Sequence, residues 1–259
     1  MDELFYQIFT ALPRQGPGCA ESTKRAYKSL TTIPMAPKIL DIGCGSGVQT
    51  IELAKLSGGH IIALDNYKPF LDKLNKNIQS AEFSNKIETV VGSMDAMPFD
   101  SESFDIIWAE GSIFIIGFEK GLEYWKQFLK PSGYLCISEL TWLKPNPPKE
   151  ISDFLLSQYT PLMDEARKLS KYPPITDEAG NLEMAKNAGY TEIGHFTLPK
   201  TAWADEYYKP LQAQINLFRE KSKGNENAIG LLDEFQLEID IYEKYSDWYG
   251  YVFYILQKP

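Results

Sequence analysis

The sequence predicts an α/β protein with a doubly wound, mostly parallel, seven-stranded sheet and an added helical cap. From residue 38 onwards, short apolar runs alternate with stretches of amphipathic helical spacing. The runs are continuously apolar, which is typical of parallel strands buried on both faces. Two stretches rich in proline or aromatic residues interrupt the alternation, and both follow predicted strands. This pattern indicates one parallel sheet with helices on both faces.

Seven segments have the composition of strands. Five come first, KILDIG, HIIALD, KIETVVG, SFDIIWAE and YLCISEL, and two more, TEIGHFTL and YGYVFYIL, follow late in the chain. Apolar residues at helical spacing separate them, as at Phe70, Leu74 and Ile78, where Pro69 marks a helix start. The connections between successive strands are therefore predicted to be helices.

We expect one domain over residues 1–259. The two interrupting stretches contain helical patterns, and helices that follow strand ends cover the edge where open α/β sheets bind ligands. The predicted parts are a helical segment over 1–37, a core over 38–140, cap insertions over about 141–178 and 200–248, and terminal strands over about 190–199 and 249–257.

The composition limits the classes of function. The formal net charge is −9 and no lysine or arginine cluster occurs, so a nucleic acid partner is not expected. The cysteines Cys19, Cys44 and Cys136 lack metal-binding spacing, which predicts reduced thiols in the cytoplasm and no metal site. The longest apolar stretch, IIWAEGSIFIIGF, is too short for a membrane span, and MDELFYQIF is not a signal-peptide pattern. Nothing in the pattern indicates an oligomeric state.

A glycine loop follows the first predicted strand, in ILDIGCGSG at residues 39–47. Glycines at alternate positions let a ligand approach the main chain without meeting a Cβ atom, and the following helix favours a negative group there. Dinucleotides and S-adenosylmethionine are the two cofactors that use such a strand–loop–helix. Val48 stands where the dinucleotide pattern G-x-G-x-x-G has its third glycine, so that fit is incomplete.

The segment DIGCGSG resembles the first motif, D/E-x-G-x-G-x-G, of class I S-adenosylmethionine-dependent methyltransferases. Asp65 ends the second strand 22 positions after Gly43. The segments GSMDAMPF, SFDIIWAEG and FLKPSGYLCISE are similar to later motifs of the ubiquinone/menaquinone-type small-molecule methyltransferases. The resemblance covers residues 38 to 140 and the terminal strands. It implies a Rossmann-like fold and methyl transfer from S-adenosyl-L-methionine to a small-molecule acceptor.

The resemblance also implies roles for particular residues. Asp65 would accept hydrogen bonds from the cofactor ribose, and Asp95 would accept from the adenine amino group. On the alternative interpretation, Asp65 caps the next helix and Asp95 is a turn residue. The implied cofactor-binding residues are Asp41, Gly43, Gly45, Gly47, Asp65, Asn66, Met94, Asp95 and Ala109.

Methyl transfer from a sulfonium needs alignment and water exclusion more than acid–base catalysis. Glu110, after the fourth strand, is the candidate catalytic base, or else it pairs with a nearby cation. Methyltransferases of this class close their pocket with N-terminal segments, so the resemblance implies that Arg14 and Gln15 of the bend LPRQGPG lie at the substrate pocket. The aromatic residues of TAWADEYYKPL are further candidates for the substrate pocket, where their faces would also suit a cationic substrate. On the alternative interpretation, they are core contacts of the cap. These aromatic residues are Trp203, Tyr207 and Tyr208.

Two other functions stay open at this point. A non-catalytic protein that binds S-adenosylmethionine would have the same cofactor half. A nicotinamide-dependent oxidoreductase would need the third glycine that Val48 replaces. The sequence does not distinguish methylation of oxygen, nitrogen or carbon, because function depends on the site rather than on the fold.

Overall fold

The computed structural model describes residues 2–159 and 174–259, so residues 160–173 of the first predicted insertion lie outside the described residues. The strands are β1 (Lys38–Ile42), β2 (His60–Asp65), β3 (Ile87–Val91), β4 (Phe104–Glu110), β5 (Leu129–Trp142), β6 (Thr176–Asp177), β7 (Thr191–Thr197) and β8 (Tyr249–Gln257). They form one sheet in the order β3-β2-β1-β4-β5-β8-β7, and the two-residue β6 pairs with β5.

The sheet confirms the predicted mostly parallel, Rossmann-like architecture. Strands β1 to β5 are parallel to one another, and in the described residues β8 pairs antiparallel with both β5 and β7. All seven predicted strands are present. Strand β6 was not predicted, because two residues are too few to show a hydrophobic period.

Helices cover both faces of the sheet. They are α1 (Asp2–Ala11), α2 (Ala20–Lys28), α3 (Val48–Leu56), α4 (Lys68–Ser80), α5 (Phe118–Trp125), α6 (Lys149–Tyr159), α7 (Glu178–Asn187), α8 (Thr201–Trp203), α9 (Lys209–Lys221) and α10 (Glu226–Tyr245). Alternate strand residues face the two sides: Ile39 and Ile61 pack with helices α2 to α4, and Leu40 and Ile62 pack with α5 and α7. Each face therefore has its own apolar core.

The strand order reverses between β1 and β4, which are hydrogen-bonded neighbours although two strands separate them in the chain. Ligands of open α/β sheets bind at the carboxyl ends of the strands beside such a switch point. The glycine loop follows β1, and Gly111 and Ser112 follow β4. The fold thus places the predicted loop at the expected ligand-binding edge.

The two predicted insertions contain helices in their described parts. Helix α6 belongs to the first, and α8, α9 and α10 belong to the second, where a π-helical turn (Ala204–Tyr208) joins α8 to α9. The apolar spacing predicted α9 and α10, and Leu211, Ile215, Leu232 and Ile239 are buried. The domain boundaries drawn from the sequence stay predictions. Each helix within the described ranges is too short or too polar to cross a membrane.

Candidate functional site

The glycine loop between β1 and α3 is left-handed at each glycine. The φ angles are 67° at Gly43, 55° at Gly45 and 79° at Gly47, a region that favours glycine. The backbone N–H groups of Gly43 and Cys44 donate to the carbonyl of Leu64, over 2.8 and 3.1 Å. These bonds fix the loop against the end of β2.

Asp41 supports this loop from behind. Its carboxylate is completely buried and accepts hydrogen bonds from the Thr50 hydroxyl and the Gln49 amide, both in α3. The Gln49 amide also donates to the carbonyl of Cys44, over 3.1 Å. Burial raises the pKa of Asp41 to about 7, and the two hydrogen bonds oppose this rise. Asp41 therefore stabilises the loop from a buried position and does not line the cavity described below.

Asp65 lies beside the loop at the end of β2. One carboxylate oxygen accepts from the Gly45 N–H over 2.9 Å, and the other accepts from the Tyr67 N–H over 2.8 Å. Burial raises the pKa of Asp65, and the backbone N–H groups oppose the rise. Helix α4 has Tyr67 as its N-cap and no side-chain cap. The helix-cap interpretation of Asp65 is thus not supported, since its bond to Tyr67 is a local Asx-type turn.

Met94 and Asp95 follow β3 and approach the same loop. A Cβ atom placed on Gly43 would lie 3.5 Å from the Met94 methyl carbon. The Met94 carbonyl accepts from the indole N–H of Trp125 over 2.9 Å, which holds this turn in place. Asp95 is exposed and accepts from the Ser93 hydroxyl.

The N-terminal bend closes over the glycine loop through Gln15. The Gln15 side-chain oxygen accepts from the Ser46 N–H over 2.7 Å, and the Ser46 hydroxyl donates to the carbonyl of Pro13 over 2.9 Å. A Cβ atom placed on Gly45 would lie only 2.4 Å from that Gln15 oxygen. The Ser46 N–H at the start of α3 is thus already satisfied by the neutral amide oxygen of Gln15.

Arg14 and Glu110 form a buried ion pair next to the bend. Arg14 donates to Glu110 over 2.9 Å, and the other Glu110 oxygen accepts from Thr23 and Trp108, over 2.7 and 3.0 Å. Only 7% of the Arg14 side chain and 2% of the Glu110 side chain are exposed. Of the two interpretations of Glu110, the structure favours the partner of a cation.

The aromatic residues predicted in the cap, Trp203, Tyr207 and Tyr208, pack against one another. Trp203 stacks on Tyr242 with ring centroids 4.7 Å apart, and lies 5.9 Å from Tyr208 and 4.8 Å from Tyr251. Trp203 is only 4% exposed. These rings are core contacts of the cap, as the alternative interpretation held, and some also line a cavity.

A single cavity of about 590 Å³ extends from the glycine loop to the cap. Phe5 and Phe9 of α1 and Phe154 of α6 line it as well. The predicted site residues among its lining are Gln15, Gly43, Gly45, Asp65, Asn66, Met94, Asp95, Trp203, Tyr207 and Tyr208.

Part of the chain is similar to known methyltransferases. Residues 39–133 match the family model of a methyltransferase domain. Over 106 residues the chain is 33% identical to an uncharacterized protein of Haemophilus influenzae, covering 40% of this chain and 42% of that one. Over 108 residues it is 34% identical to a sterol 24-C-methyltransferase of Gibberella zeae, covering 41% and 28%. The chain thus spans less than half the length of these relatives.

A solved structure shares the whole fold. An S-adenosylmethionine-dependent methyltransferase from Geobacter sulfurreducens, in complex with S-adenosyl-L-homocysteine, has a TM-score of 0.82 and covers 100% of this chain and 99% of its own. Its sequence identity is 16%, so this likeness speaks for the fold. Residues 39–133 thus match a methyltransferase domain, and the fold of the chain is that of an S-adenosylmethionine-dependent methyltransferase.

Five predicted residues of the methyltransferase domain and its surroundings lie outside the cavity lining. Asp41, Arg14 and Glu110 make the buried contacts described above. Ala109 is fully buried in β4, in the core below the site. At Gly47 a Cβ atom would lie 2.1 Å from Leu74, so this glycine allows close packing with α4. These residues lie in or next to the predicted loop and strand ends, and the packing of their neighbours directs them away from the cavity lining.

The sequence did not single out several lining residues, notably Glu238, Tyr249, Tyr251 and Ser112. Glu238 lies in α10, three residues after Phe235 and four before Tyr242, which are both buried. A glutamate on the apolar stripe of a helix is the signal that would have identified it. No such signal marks Tyr249 and Tyr251, because both lie in the apolar run YGYVFYIL, which is typical of a buried strand.

Proposed function

We propose that the protein transfers a methyl group from S-adenosyl-L-methionine to a small-molecule acceptor bound under the cap. One observation carries this proposal: a single cavity has the glycine loop and Asp65 at one end and the aromatic residues of the cap at the other. Cofactor and acceptor would share this space. The methyl group would then lie between them, near the ends of β1 and β4.

The residues at the loop fit the cofactor. Gly43 and Gly45 line the cavity without side chains, and Asp65 is held in one orientation by two backbone N–H groups. A carboxylate has further lone pairs besides these two bonds, and they suit the two hydroxyls of a ribose. Asp95 and Met94 line the cavity beside Asp65 and are assigned to the adenine.

The cofactor supplies a methyl group on a sulfonium with a good leaving group. The work of the chain is to align the acceptor and exclude water. Rings of the cap and of α1 enclose the cavity with apolar surface, and tyrosine hydroxyls provide polar contacts that orient a ligand. Glu110 is not assigned the role of base, because its oxygens already accept three hydrogen bonds.

Further features support the proposed partners and location. A cavity covered by α1 and the cap suits a small acceptor better than a polymer, and a net charge of −9 disfavours nucleic acid. Cys19, Cys44 and Cys136 are free and buried, which suits the reducing cytoplasm predicted from the sequence.

Calorimetry and product analysis test the proposal. S-adenosyl-L-methionine and S-adenosyl-L-homocysteine should bind in the micromolar range, which is on the order of 7–8 kcal/mol, and NAD should not compete. If NAD binds and neither S-adenosyl compound binds, the result would support the oxidoreductase alternative. Incubation with the cofactor and a small-molecule library should release S-adenosyl-L-homocysteine, detected by mass spectrometry. Binding with no release on any acceptor would support the non-catalytic alternative.

A further inference from the structure

In the described part of the chain, the cap end of the cavity contains one carboxylate, Glu238 of α10. The Tyr208 hydroxyl donates to it over 3.1 Å. Tyr207, Tyr249 and Tyr251 line the same cavity. Burial raises the pKa of each of these tyrosines, and the charge of Glu238 adds to the rise, for Tyr251 after the charge of Glu139. Glu238 is half-buried and lines the cavity, so its carboxylate faces the space in which an acceptor would bind.

A continuous series of contacts joins Glu238 to the glycine loop. A Cβ atom on Gly43 would lie 2.6 Å from the Ser112 Cβ atom, and one on the adjacent Gly111 would lie 2.9 Å from the Tyr251 ring. Tyr251 is next to Trp203, whose ring centroid is 4.8 Å away. Trp203 in turn contacts Tyr208, which donates to Glu238. The carboxylate therefore lies at the acceptor end of the cavity and not at a separate surface site.

The charges that line the cavity are all negative in the described part of the chain. They are Asp65, Asp95 and Glu238, and no lysine, arginine or histidine from residues 2–159 or 174–259 is among the lining. Arg14 lies close by, but its charge is paired with Glu110. A buried anion without a counter-charge is costly, so an acceptor with a phosphate or carboxylate at the cap would be disfavoured.

We infer that the acceptor carries a protonated amine, which Glu238 binds among the faces of Trp203, Tyr207 and Tyr251. This inference rests on the proposed methyl transfer and specifies its substrate class. An ammonium group donates charge-assisted hydrogen bonds to a carboxylate and is attracted by electron-rich ring faces. Burial raises the pKa of Glu238 to about 7, and the hydrogen bond from Tyr208 opposes the rise. A bound cation would favour the ionised carboxylate.

Matched ligands test this inference on protein saturated with S-adenosyl-L-homocysteine at pH 8. The probes are phenethylamine, 2-phenylethanol and 3-phenylpropanoate, together with hexylamine, hexanol and hexanoate. Affinity is measured by calorimetry and binding is confirmed by the rise in melting temperature. At least one amine should bind about tenfold more tightly than its matched alcohol, since a charge-assisted hydrogen bond adds to the apolar contact. The carboxylates should bind least.

Two variants of the same helix separate charge from structure. Glu238→Gln keeps an acceptor for the Tyr208 hydroxyl and removes the charge, so the preference for amines should disappear while the affinity for S-adenosyl-L-homocysteine stays unchanged. Glu243→Gln changes an exposed glutamate of α10 and should alter neither the preference for amines nor the affinity for S-adenosyl-L-homocysteine. The inference is overturned if no amine binds, if alcohols or carboxylates bind as tightly, or if the preference survives in Glu238→Gln. Failure of S-adenosyl-L-homocysteine itself to bind would instead refute the proposed function.

Discussion

Arg14 donates a hydrogen bond to Glu110 across 2.9 Å, and this buried ion pair joins two segments that are 96 residues apart in the chain. The pair fastens the N-terminal bend to the end of β4. The same bend reaches the glycine loop through Gln15 and Ser46. The N-terminal segment is therefore attached at both strands that flank the switch point of the sheet.

Glu110→Gln should lower the free energy of unfolding by about 3–5 kcal/mol, because it leaves the buried Arg14 charge without its counter-charge. Urea unfolding measures the change. The double variant Arg14→Met/Glu110→Leu should be less destabilised than Glu110→Gln, because no buried charge remains. Unchanged stability combined with loss of methyl transfer would instead identify Glu110 as the catalytic base.

Asp65→Ala should weaken binding of S-adenosyl-L-homocysteine by roughly 2 kcal/mol, since two charge-assisted hydrogen bonds to the ribose would be lost. The variant should also be less stable, because the Gly45 and Tyr67 N–H groups lose their acceptor. Calorimetry is therefore performed well below its melting temperature. Asp72→Asn, at an exposed position of α4, is the control. A lower melting temperature with unchanged affinity would show that Asp65 only supports the loop.

The sheet and the glycine loop were predictable because their signals are local. Strands buried on both faces give continuous apolar runs, and a loop that approaches a ligand shows its glycines within five residues, Gly43 to Gly47. Asp65 was predictable from its place at a strand end. Its two backbone N–H partners were not, since one of them, Gly45, lies 20 residues away.

The cap end of the cavity was less predictable because its residues come from distant segments. Glu238 meets Tyr208 from the preceding helical turn and Tyr249 and Tyr251 from β8 only after the cap folds onto the sheet. The Arg14–Glu110 pair likewise depends on where the N-terminal bend docks. The resemblance implied a place for Arg14 at the substrate pocket, whereas in the structure Arg14 pairs with the buried carboxylate of Glu110.

Asp41 should make the stability of the protein fall between pH about 4 and pH about 7. Its ordinary pKa is 3.8, and burial near Glu110 and Asp65 raises it to about 7 in the folded state. In that pH range the folded chain binds more protons than the unfolded chain, so the free energy of unfolding decreases as the pH rises and levels off above it. Glu238, whose pKa is also raised to about 7, contributes in the same direction.

Asp41→Asn should therefore show a flatter dependence of the free energy of unfolding on pH, with a residual slope from Glu238. Urea unfolding between pH 4 and pH 8 measures this dependence. Adding Glu238→Gln to the Asp41→Asn variant should flatten the curve further. Parallel curves for the wild type and Asp41→Asn would show that the carboxylate is ionised in the folded state throughout this range.

Gly45→Ala should destabilise the protein by at least about 1 kcal/mol, because alanine resists a φ of 55° and its Cβ atom would lie 2.4 Å from the Gln15 oxygen. Gly230→Ala is the matched control. Gly230 is in α10 with no heavy atom within 4 Å of an added Cβ, so alanine should stabilise that helix by about 0.5–1 kcal/mol. Thermal unfolding compares the two.

Adding Gln15→Ala to Gly45→Ala separates the two causes of the destabilisation. Removing the Gln15 side chain relieves the contact with the new Cβ atom, but it leaves the left-handed backbone at residue 45 unchanged. We therefore expect the double variant to lose less stability than the sum of the two single variants, and yet to remain less stable than Gln15→Ala alone. Strict additivity would mean that Gln15 does not lie against Gly45 in solution, and the N-terminal bend would then not close over the glycine loop.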